Sequence, residues 1–174
     1  MKEKAKLISI LLLFVFTFFG MTACSHSKLS STDVADYPSY LAKVQGAEDG
    51  MPKLSELSDY ESLKLTYRGN APLLLDNLQS IALFVRYEGE AFEAALESVN
   101  AKYRFLESDI FKDEYQGFKF GMDINTLDES YPEHALIVGI NEEEETLAYL
   151  YYFDPTLDRI ESLYAFVRDN FIFE

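Results

Sequence analysis

Cysteine is nearly absent from this sequence: its 174 residues include only Cys24. An internal disulfide is therefore excluded, and the fold must be held by packing. Histidine is almost as scarce, with only His26 and His134. One histidine and no thiol in the body of the chain cannot make an ordinary zinc site. Glycine is sparse at 8 residues, and no glycine-rich loop that could cradle a phosphate is present. No GxSxG elbow occurs to expose a nucleophilic serine. Basic residues are outnumbered, 15 Lys and Arg against 30 Asp and Glu. That balance repels nucleic acid and anionic lipid head groups.

What is present begins at the N-terminus. Lys2, Lys4 and Lys6 precede an uncharged, almost wholly apolar run from Leu7 to Gly20. As a helix this run would reach about 21 Å, and a bilayer core needs about 20 residues. A buried core helix would carry a polar face, and this run has none. A basic start followed by a short apolar run is the pattern of an export signal. Met21-Thr22-Ala23-Cys24 follows directly. This tetrapeptide resembles the lipobox of bacterial lipoproteins, with Met21 where Leu is commoner. The resemblance covers residues 1–24 only. It implies diacylglyceryl attachment to the Cys24 sulfur and cleavage just before that residue. Many members also carry a fatty acid, such as palmitate, on the new amino group. Two acyl chains anchor stably where one binds marginally.

The expected organisation is a signal peptide over 1–23, a flexible tether over 24–33 and a single acidic domain over 34–174. Ser25–Asp33 (SHSKLSSTD) is polar and serine-rich, as a spacer should be. His26 lies in it as a solvated side chain. Residues 24–174 carry 12 Lys and Arg against 29 Asp and Glu, a formal charge of −17. Abundant Phe and Tyr with clear apolar periods set this domain apart from disordered acidic chains.

Within the domain, Asp33 caps a helical segment whose stripe is Val34, Tyr37, Leu41 and Val44, with Pro38 in its first turn. A further helical turn is expected over 53–58. Strands are expected at 62–68, 80–87, 117–124, 134–140 and 146–153. A helix over 90–106 buries Phe92, Ala95, Leu96, Val99, Tyr103 and Leu106. Asp154-Pro155 is a helix-start signal, giving a last helix to about Asn170 that buries Leu157, Ile160, Tyr164, Val167 and Phe171. Strands 62–68 and 117–124 have one apolar face and belong at edges. The other three have two and belong in the centre. The expected fold is α+β: an antiparallel or mixed sheet of about five strands, two long helices on one face and the N-terminal helical segment covering the other.

Candidate sites are few. His134 is the only histidine of the domain and stands at a strand start. Asp123, Asn125, Asp128 and Glu129 loosely resemble a calcium loop, but Leu127 and Asp128 stand where that pattern requires an oxygen ligand and a glycine. Glu142, Glu143, Glu144 and Glu145 fill a hairpin turn and suit either solvation or docking of a basic protein or peptide. Tyr149 and Tyr151 share a strand face with Leu147 and Phe153, while Tyr152 lies opposite. Tyrosine suits both a packed core and a half-wet binding face. Carboxylate pairs for hydrolysis carry no signal in so acidic a chain. No cofactor is expected.

The sequence thus favours a non-catalytic binding lipoprotein on the outer face of a bacterial membrane, whether cell membrane or outer membrane. The alternatives are an anchored small-molecule binder with Tyr149 or Tyr151 on its pocket floor, and a carboxylate-dependent hydrolase.

Overall fold

A computed structural model describes residues 29–69, 78–105, 114–123, 133–157, 159–160 and 162–173. Seven strands form one antiparallel sheet. They are β1 (Leu29–Ser31), β2 (Ser62–Gly69), β3 (Gln79–Arg86), β4 (Glu114–Tyr115), β5 (Phe118–Met122), β6 (His134–Asn141) and β7 (Thr146–Phe153), in the spatial order β1-β2-β3-β7-β6-β5-β4. The α-helices are α1 (Tyr37–Leu41), α2 (Ala47–Gly50), α3 (Glu90–Lys102) and α4 (Leu163–Asn170), with 3-10 turns at Val34–Asp36 and Leu54–Glu56. The α+β class and an antiparallel sheet agree with the sequence reading, but the sheet has seven strands where about five were expected.

The doubly apolar strands do lie at the centre. β3, β7 and β6 are neighbours, and Ile81, Leu83, Leu136, Ile137, Leu147 and Leu150 are fully buried. The two outer strands of the expected five are each flanked by a short strand instead of forming the edge. β1 pairs with β2 and β4 with β5. β1 falls inside the stretch expected as tether. Its backbone hydrogen bonds to β2 give those residues a place in the sheet that so short a stretch, LSS, does not announce.

One face carries Leu65, Tyr67, Leu83, Val85, Val138, Tyr149 and Tyr151. It is covered by α1, α2 and α3 together, through Tyr37, Leu41, Ala47, Phe92 and Val99, with Val44 between α1 and α2. The other carries Phe84, Phe118, Phe120, Ile137, Leu150 and Tyr152 under α4, through Leu163, Val167 and Phe171. The expectation of both long helices on one face is therefore wrong. The N-terminal helices are only five and four residues long and cannot cover a whole face. Tyr40 stacks on Tyr67 of β2 with centroids 3.9 Å apart. Phe105, just past α3, lies against Gly121 of β5. The two segments thus divide one face, and α4 takes the other.

Helix boundaries also differ. α3 ends at Lys102, because Tyr103 turns to extended backbone (φ −106°, ψ 148°). Asp154 caps a turn instead of a helix: its carboxylate accepts from Thr156 N at 2.8 Å. Asp-Pro suits turns as well as helix starts, and the true cap is Ser162, whose hydroxyl accepts from Ala165 N at 3.3 Å. Tyr164, expected in the core, is 37% exposed, since a helix starting later presents a different stripe.

Candidate functional site

Tyrosine hydroxyls organise the first face. Tyr37 donates to Pro52 O at 2.7 Å, Tyr151 to Gln45 O at 3.0 Å and Tyr103 to Gly50 O at 3.1 Å. Three rings from α1, β7 and the end of α3 thus clamp the 45–52 turn onto the sheet. Burial pushes all three phenols well above their ordinary range, because the ionised form would lose its water. Gly46 has φ +80°, and a Cβ there would collide with the Tyr151 hydroxyl. Tyr151, 1% exposed, is therefore a structural clamp and not a pocket floor.

Tyr149 differs. It is 4% exposed and its phenol is also pushed well up by burial. No described residue hydrogen-bonds its hydroxyl, and it lines a cavity of about 110 Å³ between α3 and the 56–59 segment. Tyr87, just after β3, lines the same cavity, as do Glu56, Asp59, Ala91 and Ala95. The Lys102 ammonium, hydrogen-bonded at 2.9 Å, holds the Glu56 carboxyl below its ordinary range.

The acidic turn lies at one end of the sheet. Glu142, Glu143 and Glu144 are exposed. Glu145 is held: its carboxylate accepts from Gly89 N at 3.1 Å, its carbonyl accepts from Tyr87 N at 3.0 Å, and its φ is 47°. Arg86 sits beside the turn, 2.9 Å from Glu61 and 3.9 Å from Glu144. Asn141 fixes the turn by accepting from Glu144 N at 3.0 Å. The hairpin and the Tyr149 cavity are neighbours through Tyr87, a juxtaposition the linear sequence does not display.

The remaining candidates separate. His134 stacks over Phe153 at 5.8 Å and Tyr151 at 6.4 Å, with Nδ1 buried and unpaired. Asp123 is buried, and its carboxylate accepts from Arg104 N at 2.9 Å. Asn125, Asp128 and Glu129 of the calcium-like loop lie outside the described residues, as do Cys24, His26, Leu106 and Phe111. Among the described residues no group of three or more His, Cys, Asp or Glu is placed to hold a metal. None of the described helices is long and apolar enough to cross a membrane. Glu56 and Asp169 have carboxyls held down by Lys102 and Arg168, the reverse of the raised pKa a carboxylic acid catalyst needs.

The structure defines an α+β protein with a small phenol-lined cavity beside an acidic hairpin. No protein-family model, curated protein or solved structure matches the chain.

Proposed function

We propose that this protein is a bacterial lipoprotein, held through lipid on Cys24 to the outer face of a membrane, and that its acidic domain binds a basic protein or peptide without catalysis. The observation that carries the reading is the sheet's polarity. β1 enters the sheet where Leu29 pairs with Gly69, at the end shared by Gln79, Phe153 and His134. The Glu142–Glu145 turn lies at the other end, beyond the Asn141–Thr146 pair. Eight-residue strands separate the two ends by about 26 Å. From Cys24 to Leu29 the chain can reach at most about 18 Å. A lipid on Cys24 would therefore keep the β1 end near the bilayer and turn the hairpin outward. Glu61 and Glu88 lie at the same outward end, flanking β2 and β3. A cationic partner approaching from the aqueous side would meet these carboxylates first, and their field would speed its encounter.

Two measurements test the reading. Cys24→Ser should move the protein from the membrane fraction to the soluble one. An envelope extract passed over the native protein should yield a basic partner that elutes with salt and is not retained by a Glu142→Gln, Glu143→Gln, Glu144→Gln variant. Membrane retention of Cys24→Ser would refute the anchor. Capture that ignores both salt and the hairpin would refute the acidic docking surface.

A further inference from the structure

The cavity beside α3 is too small for a drug-sized ligand, at about 110 Å³ against the ~300–1,000 Å³ of usual ligand pockets. It is nearer to a cavity of about 150 Å³ that admits benzene. Its wall on α3 is built of small residues, Ala91, Ala94, Ala95 and Ser98. A wall of small residues alone would imply nothing, since close packing uses the same residues. The floor is what points to a ligand. Tyr149 and Tyr87 are 4% and 3% exposed, and neither hydroxyl has a hydrogen-bond partner among the described residues. Yet His134 Nδ1 is the only buried, unpaired side-chain nitrogen or oxygen among those residues. Both phenol oxygens therefore still reach open space. Deeply set hydroxyls that open only onto a cavity take their hydrogen-bond partner from whatever fills it, water or a ligand.

The lining charge selects the ligand's sign. Glu56 and Asp59 line the opening, and no Lys, Arg or His does. The Lys102 ammonium is already committed to Glu56 at 2.9 Å and sits over the Tyr103 ring at 5.5 Å. Asp59 is exposed, stands with φ 55°, outside the conformations most residues prefer, and has no ion pair among the described residues. With Glu56 paired to Lys102, the Asp59 carboxylate is the charge left in the lining, and it favours a cation. A primary ammonium has three donors, enough for the Asp59 carboxylate and two phenol oxygens. A short methylene chain behind it would lie against the alanine methyls.

We infer that this cavity is a binding slot for a primary alkylammonium group, with Asp59 as counter-ion and the hydroxyls of Tyr149 and Tyr87 as acceptors. The same chemistry comes from a free small amine or from a lysine side chain of a bound polypeptide. The inference rests on the binding-domain reading but not on the acidic hairpin or on the lipid anchor.

Calorimetric titration of the full-length protein in detergent tests it, with n-butylamine, n-butanol, and a short uncharged peptide bearing one lysine or one norleucine. Butylamine should bind and butanol should not. Tyr149→Phe, which keeps the ring and removes the acceptor, should weaken butylamine about tenfold, and Asp59→Asn should act in the same direction. Ala95→Leu fills the slot from the helix side, at a position that is only partly buried against the core, and should abolish binding with the circular dichroism spectrum unchanged. Binding of the lysine peptide but not the norleucine peptide assigns the slot to a partner's side chain. Binding of butylamine with neither peptide assigns it to a free amine. Equal heats from butylamine and butanol, or unaltered butylamine binding by both Tyr149→Phe and Ala95→Leu, overturns the inference. The Glu142–Glu144 triple variant should bind butylamine as the native protein does, so that failure of hairpin docking and failure of the slot are read separately.

Discussion

Single residues set the alkaline limit of this protein. Tyr37, Tyr103, Tyr149 and Tyr151 are pushed well up by burial, and Tyr152 is pushed up to about 12, first by burial and then by Asp154. Below pH 10 these phenols are neutral in both folded and unfolded chains, and stability is undiminished. Above it the unfolded chain releases protons that the folded one retains. Each such tyrosine then costs about 1.4 kcal/mol per pH unit until its folded pKa is reached. Typical stabilities are about 5–15 kcal/mol, so five tyrosines acting together should produce one cooperative unfolding between pH 10 and 12. Phenolate absorbance should rise together with the loss of ellipticity. Smooth phenolate titration with ellipticity intact across that range would show that the rings are not sealed. Gly46 is the second residue of this kind. Gly46→Ala must adopt φ +80° and displace the Tyr151 hydroxyl, and should destabilise by about 2 kcal/mol, visible as a lower urea midpoint with an unchanged slope.

At the scale of elements, caps decide where α4 begins. Ser162→Ala should cost about 1 kcal/mol, whereas Asp154→Ala removes only a turn contact to Thr156 and should cost less. Thermal melts of the two variants side by side would check this ordering, and the reverse ordering would place the helix start at Asp154. The same element shows what can be read from a sequence. Central strands were legible because Ala82 and Phe84 oppose Ile81, Leu83 and Val85, and only a two-sided environment accepts that pattern. The stripe Val34, Tyr37, Leu41 and Val44 was legible from its spacing, and all four pack into one core. The face each helix covers was not legible, since an apolar stripe fits either side of a doubly apolar sheet. β1 and β4 were hidden because strands of three and two residues have too few side chains to show a period. The Tyr149 cavity was visible only as a tyrosine-rich strand. Its other walls, Glu56, Asp59, Tyr87 and α3, come from distant stretches of chain, and nothing local links them.

The whole molecule is asymmetric in charge and in attachment. The chain joins the sheet at one end, and its densest run of carboxylates lies at the other. Exposed pairs such as Arg86–Glu61 and Lys102–Glu56 are screened by salt and add little to stability. High salt should therefore weaken binding of the proposed basic partner far more than folding. Raising sodium chloride to about 1 M, where the Debye length is near 3 Å, should release the partner while leaving the melting temperature within a few degrees. A melting temperature that fell steeply with salt would mean that ion pairs, not the two apolar layers, hold the sheet. The three-residue pairing of β1 with β2 has a mechanical side. If the leash to the lipid leads out of β1, a partner pulled away from the cell loads that short ladder before any longer one. Those few bonds would part first and let out slack, so the anchorage would stretch like a fuse while the folded body stays whole.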